Sequence, residues 1–223
     1  MYLVSQPESV NAVRLADVIE VTYKTAWLML HKLRDAMSQV EEGQQLAGQV
    51  RMDYHVYGYQ RFKPTLDRVP HEHPVMIGAS HIDQEEDRLM HLKLLQLAAS
   101  DLRGTIPTRY GIADFRERHM EPSATMVTMV PRYGVLKRVP LLYHYASDSF
   151  QWMNRRFHGI GGKHLQAYLH EYCFRFNRFA QLASSFSTLV QACMVHKCPT
   201  YKDFVVRDYR RENGSNNIGV KAA

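Results

Sequence analysis

The stretch Gln49–Phe62, QVRMDYHVYGYQRF, decides how the rest of the chain is read. Its β-branched and aromatic residues alternate with polar ones, the two-residue period of a half-buried strand, and Asp53 sits near its start. Downstream, HPVMIGASHID and DRLMHLKLLQLAA repeat this behaviour after turn-like stretches, so three consecutive strands are predicted to form an antiparallel meander. TRYGIADFRERHM then has a helical pattern ended by Glu121-Pro122, and ATMVTMV reads as a fourth, buried strand. SDSFQWMNRRFHG reads as a helix, Gly159, Gly161 and Gly162 punctuate, and the run from Lys163 to His196 supplies one or two more helices. The predicted order is β-β-β-α-β-α, an α/β class with a mixed sheet and flanking helices.

Upstream, Ser9–Met37 (SVNAVRLADVIEVTYKTAWLMLHKLRDAM) reads as two helices joined by a tight turn. Ala12, Leu15, Ala16 and Ile19 recur at helical spacing, Glu20 and Val21 break the period, and Thr22 supplies an oxygen to cap the second helix. In that helix Ala26, Leu30 and Leu33 face inward, leaving Tyr23, Lys24, Lys32 and Arg34 for solvent or phosphate. A helix presented in this way meets base edges with its first turn, here Thr22, Tyr23, Lys24 and Thr25. The same spacing also suits an ordinary helical hairpin with a solvated cationic face. The expected organisation is a small all-α helix-turn-helix domain at 1–40, a linker at 41–48, an α/β domain at 49–205 and a disordered tail at 206–223.

A formal net charge of +6 and a pI near 9.2 suit a polyanionic partner, with nucleic acid foremost. Cys173, Cys193 and Cys198 are an odd set without metal-ligand spacing, which argues against a disulfide framework and against zinc. No run approaches the roughly 20 apolar residues that span a bilayer. The expectation is a soluble, cytoplasmic protein that joins the bacterial nucleoid when bound to DNA.

The β-β-β-α-β-α order with an acid in the first strand is the layout of the ribonuclease-H-like fold, used by polynucleotidyl transferases. Their phosphodiester chemistry needs two divalent ions roughly 3.5–4 Å apart, held by carboxylates beside the scissile phosphate. One carboxylate lies on the first strand, a second at the end of the fourth, and a third on the following helix. Asp53 occupies the first position and Asp148 fits the third, at the opening of its helix. Arg155 lies two turns beyond Asp148, on the same helical face and near the nucleic-acid backbone.

Longer blocks carry a family likeness. LADVIEVTYKTAWLMLHKLRDAM, GQVRMDYHVYGY, HPVMIGAS and above all SFQWMNRRFHGIGGKHLQAYLHEYCFRFNRF resemble, in order and spacing, segments of the bacterial insertion-sequence DDE transposases of the ISXO-like group. The resemblance covers about Ser9 to Phe179. It implies binding of an element's terminal inverted repeats, metal-dependent hydrolysis at its ends, and attack of the freed 3′-hydroxyl on target DNA by a homo-oligomer. Asp53 and Asp148 would ligate Mg²⁺ or Mn²⁺, and Arg155 would steer the backbone or terminal base. Two departures stand out. The family's N-terminal zinc ribbon has no counterpart here, so no zinc is expected, and Met129 stands where the second acid should be. A thioether is a poor ligand for a hard cation, which leaves a weak or dead copy as the expectation.

Each candidate also has a plain structural role. Asp53 can pair with a neighbouring cation, and Ser147-Asp148 is a natural helix cap. Lys163, Arg175 and Arg178 can touch phosphate or simply face solvent. His71-Glu72-His73 reads as a solvated loop, because adjacent residues of an extended chain point to opposite sides. The competing function is a non-catalytic, sequence-specific DNA-binding protein derived from a transposase. A third is a helical regulator with a ligand-sensing domain.

Overall fold

The computed structural model describes residues 9–58, 71–81, 89–128, 140–178, 182–197 and 199–206. Its centre is a mixed sheet built from β1 (Gln49–Tyr57), β2 (His73–His81), β3 (Leu89–Gln96) and, later in the chain, β6 (Thr125–Thr128). The spatial order is β3-β2-β1-β6. β1 pairs antiparallel with β2, β2 antiparallel with β3, and β1 parallel with β6. The expected meander is thus present, and a fourth strand follows, but it is not the buried strand the sequence suggested: Thr125 and Val127 are exposed and only Met126 turns partly inward. Between β3 and β6 lie the two-residue strands β4 (Leu102–Arg103) and β5 (Ile106–Pro107), then α3 (Arg109–His119).

The period-2 pattern of β1 splits its side chains between two cores. Val50, Met52 and Tyr54 join Met76, Leu95 and Phe115 of α3 on one face. Gly78 belongs to that side: a Cβ there would come within 2.7 Å of Leu46 and 2.8 Å of the Phe115 ring. Tyr57 joins Val75, Ile77 and Leu94 on the other face. That face is covered by α4 (Pro140–Phe157) and α5 (Leu165–Asn177), through Leu142, Phe150, Met153 and Leu169.

Among the described residues no strand pairs with the outer edge of β3, and such an edge invites aggregation unless covered. α5 covers it with side-chain amides. Asn177 Oδ1 accepts the Leu92 N–H at 2.8 Å while its Nδ2 donates to the Leu92 carbonyl at 3.0 Å. Gln166 Oε1 accepts the Gln96 N–H at 2.6 Å while its Nε2 donates to the Leu94 carbonyl at 3.1 Å. The two residues are eleven apart, about three helical turns, so both fall on one face of α5.

N-terminal to the sheet are α1 (Ala12–Ile19) and α2 (Tyr23–Glu42), followed at the C-terminal end by α6 (Leu182–Val195) and α7 (Tyr201–Val206). The caps follow the local sequence: Asn11 Oδ1 accepts the Arg14 N–H at 2.9 Å, and Thr22 Oγ1 accepts the Thr25 N–H at 3.3 Å. Leu15, Ala16, Ala26 and Leu30 bind the pair together. Beyond that small core α2 continues into the body, where Ala36 and Met37 pack on Phe174 of α5 and on Leu189 and Ala192 of α6.

Three sequence expectations need correction. The segment 41–48 starts inside α2, whose last residues are Glu41 and Glu42; Glu41, fully buried and bridged to Arg178, and Leu46, buried beside Phe115, tie it to the body, while its other residues are exposed. α4 begins at Pro140 rather than at Asp148; a proline suits a first helical position, and the buried Leu142, Ala146 and Phe150 supply the apolar stripe. Glu72 and His73 are buried, 2% and 7% exposed, rather than in a solvated loop. Met129, Phe179, Cys198 and residues 207–223 lie outside the described residues. No helix of the described residues is long and apolar enough to cross a membrane.

Candidate nucleic-acid interface and acidic site

Asp53 lies on the central strand β1, 1% exposed, opposite Ile77 of β2. Its Oδ1 accepts the N–H of its own neighbour Tyr54 at 2.7 Å. Strand alternation puts it on the face of His55 and Tyr57, beneath α4. His55 Nδ1 accepts the Val56 N–H at 2.8 Å, so the hydrogen of the neutral ring belongs on Nε2, 3.4 Å from Ser147 Oγ. The His55 ring stacks on Tyr143 at 4.5 Å, and Tyr57 Oη donates to Asn154 Oδ1 at 3.0 Å while accepting the Ile160 N–H at 2.9 Å.

Tyr143, Ser147 and Asn154 are therefore the α4 stripe that meets β1. Asp148 is one step of about 100° beyond Ser147. It falls on the outer stripe with His144, Gln151 and Arg155, all exposed. Its charge, second to burial, pushes the Tyr172 hydroxyl on α5 upward. Arg155 does share this face, as the spacing predicted, and donates to Gln151 Oε1 at 3.1 Å. Asp148 and Arg155 are thus together on the exposed side of α4, while Asp53 is buried on β1. Among the described residues no group of three or more His, Cys, Asp or Glu is placed to hold a metal ion. Asp114, on α3, is bridged to Arg118 instead.

The cationic residues divide into two classes. Thr22, Tyr23, Lys24 and Thr25 form the exposed first turn of α2, and Lys32 is half-buried further along. Arg34 is not on that surface. It is 3% exposed, with Nε donating to Glu171 Oε2 at 2.7 Å and its guanidinium over the Tyr168 ring at 4.0 Å. The reason is its period: Arg34 follows Ala26 and Leu30 on the inward face, against α5. Ser9 Oγ at 2.6 Å and Arg175 Nε at 3.0 Å donate to the other Glu171 oxygen. Burial alone would raise the Glu171 carboxyl, but Arg34, Arg175 and the Ser9 hydroxyl together hold it below its ordinary value. Arg178 likewise serves Glu41, so neither C-terminal arginine stands open to phosphate.

No family model, curated protein or solved structure matches this chain.

Lys163, half-buried, stands at the start of α5 and its Nζ donates to the Val205 carbonyl of α7. It shares a cleft of about 360 Å³ with Tyr23, Lys24, Trp27, His164 and Tyr201. Lys24 lies over the Tyr201 ring at 4.5 Å. The interface candidates Tyr23, Lys24 and Lys163, scattered over the sequence, are therefore neighbours. Trp27, His31 and His164 complete this region and were not singled out by the sequence. The i, i+4 spacing of Trp27 and His31 was the available signal, and it is equally the signal of ordinary core.

Proposed function

We propose that this chain is a DNA-binding protein on the plan of the ISXO-like DDE transposases, with α1–α2 as a helix-turn-helix and the sheet with its helices as a ribonuclease-H-like body. The carrying observation is the sheet order β3-β2-β1-β6 with β1 and β6 parallel and Asp53 on β1, the order and position that plan requires. The capped, exposed first turn of α2 beside Lys163 supports contact with double-stranded DNA, and the terminal inverted repeats of a mobile element are the proposed target. Partnership of two copies on DNA follows from the same plan.

Cleavage and strand transfer form the second reading, favoured by the burial of Asp53 on the central strand. A Mg²⁺ or Mn²⁺ pair needs several carboxylate oxygens at one point. Among the described residues no group of three or more such donors converges: Asp53 is buried on β1 and Asp148 is exposed on α4, and Met129 lies outside the described residues. The non-catalytic reading is therefore the better supported.

One set of measurements tests both. Fluorescence anisotropy on a mixed-sequence duplex should show affinity falling steeply with salt. Lys24→Ala should lower the salt slope by about 1 and weaken binding by roughly 3- to 10-fold across sequences. Salt-independent affinity, or a Lys24→Ala protein that binds as before, would remove α2 from the interface. On supercoiled plasmid with Mn²⁺, the parent and Asp53→Asn should give the same background nicking. Faster nicking by the parent would restore the catalytic reading.

A further inference from the structure

Two adjoining clefts lie where α2, α5 and α7 meet. The first, of about 340 Å³, is lined by Trp27, His31, Arg34, Arg156, His158 and Tyr168 among others, and the second is the 360 Å³ cleft around Lys24 and Lys163. They share Tyr23, Trp27 and His164, and neither wall carries a carboxylate among the described residues. Together they have the size of a small-ligand site.

Their chemistry is paired. The deeper cleft is aromatic: the Trp27 and His31 rings are 4.0 Å apart, with His164 edge-on to Trp27 at 6.0 Å. The outer cleft is cationic, with Lys24, Lys163 and the α5 N-terminus, whose cap residue His164 makes no side-chain cap. The helix dipole adds to the cations there. His31 supplies an independent pointer to a ligand. It is 1% exposed, lines the deeper cleft, and its Nδ1 has no hydrogen-bond partner among the described residues. Burial first, then Arg34 and His164, push its pKa down to about 2, so the ring is neutral and offers a base edge a hydrogen bond rather than a charge. Glu171, which Arg34 shares with Arg175, offsets part of the Arg34 charge.

We propose that the double cleft seats one unpaired nucleotide of a DNA strand, its base against Trp27 and His31 and its phosphate toward Lys24 and Lys163. This rests on the DNA-binding reading and adds a subsite to it. A paired base is stacked on both sides and cannot enter, whereas an unpaired one offers a free π-face worth a large gain on an aromatic platform. The ring-plus-phosphate chemistry is also that of a free mononucleotide, so the test separates the two sources.

The test uses the full chain and three probes: a blunt duplex, the same duplex with a short adenine 3′ extension, and adenosine monophosphate. The extended duplex should bind about tenfold more tightly than the blunt one and quench tryptophan fluorescence. Trp27→Phe should keep blunt-duplex affinity and lose most of the quenching, since the remaining Trp152 packs on α4 against Phe157 and Tyr172. Lys163→Ala, which also gives up the bond to the Val205 carbonyl, should reduce the preference for the extension several-fold with an unaltered circular dichroism spectrum. Equal binding of blunt and extended duplexes without quenching overturns the subsite and leaves the DNA-binding reading standing. Failure of both duplexes to bind removes both. Adenosine monophosphate binding as tightly as the extended duplex overturns the assignment to DNA in favour of a free nucleotide.

Discussion

Glu171→Ala is expected to destabilise the protein by about 3–5 kcal/mol, read as a shift of the urea midpoint without a change of slope. Glu171 is fully buried and takes hydrogen bonds from Arg34, Ser9 and Arg175, which belong to α2, the segment before α1, and α5 itself. Removing the carboxylate leaves the Arg34 guanidinium buried beside Tyr168 and Phe157 with its main counter-charge gone. The double change Arg34→Met with Glu171→Leu should recover most of the loss, because an apolar pair of similar volume needs no desolvation of charge. A double variant as unstable as Glu171→Ala would assign the loss to packing rather than to the ion pair. Since the folded state holds this carboxyl below its ordinary pKa, its contribution is fully present above the ordinary glutamate range. It is lost as pH falls through the lower folded-state value. The Glu171→Leu, Arg34→Met protein should therefore show a flatter stability profile on the acid side.

The second large effect concerns the open edge of β3. Changing Gln166 and Asn177 together to Ala unpairs two N–H and two carbonyl groups of Leu92, Leu94 and Gln96. At about 1–3 kcal/mol for each group left buried, partly offset where water can enter, a loss of roughly 3–6 kcal/mol is expected. The same protein should associate through the exposed edge, visible as concentration-dependent light scattering. A thermal midpoint within a degree or two of the parent, with no added scattering, would mean that water serves the edge as well as these amides do.

These two clusters also explain one block of the sequence, the run from Lys163 to Arg178. In KHLQAYLHEYCFRFNR, the glutamine and asparagine close the sheet edge, the glutamate anchors α2 through Arg34, and the last arginine meets Glu41. Read as sequence, Arg34, Arg175 and Arg178 were as available for phosphate as Lys24. What separates them is a buried carboxylate within reach: for Arg34 and Arg178 it comes from another element, which spacing along one helix does not reveal, and for Arg175 it is Glu171 one turn earlier on α5. Asp148 teaches the same lesson. Its seven-residue spacing to Arg155 put both on one face of α4, but the orientation of that face was set by Leu142, Ala146 and Phe150 turning inward, which left Asp148 exposed.

Local patterns determined what depends on near neighbours: the alternation of β1 to β3, the helical periods of α1 to α3, the Asn11 and Thr22 caps, and the placement of Asp53 on the first strand. Steric and hydrogen-bonding rules of period two and period 3.6 act within a few residues, so they are written in the chain. Only the tertiary structure decided where each helix points its faces, that α2 runs unbroken into the body, and that Trp27, His31, Lys24 and Lys163 surround one double cleft. Those outcomes depend on which apolar surfaces bury each other across separations of more than a hundred residues, and burial is non-directional until the elements have met.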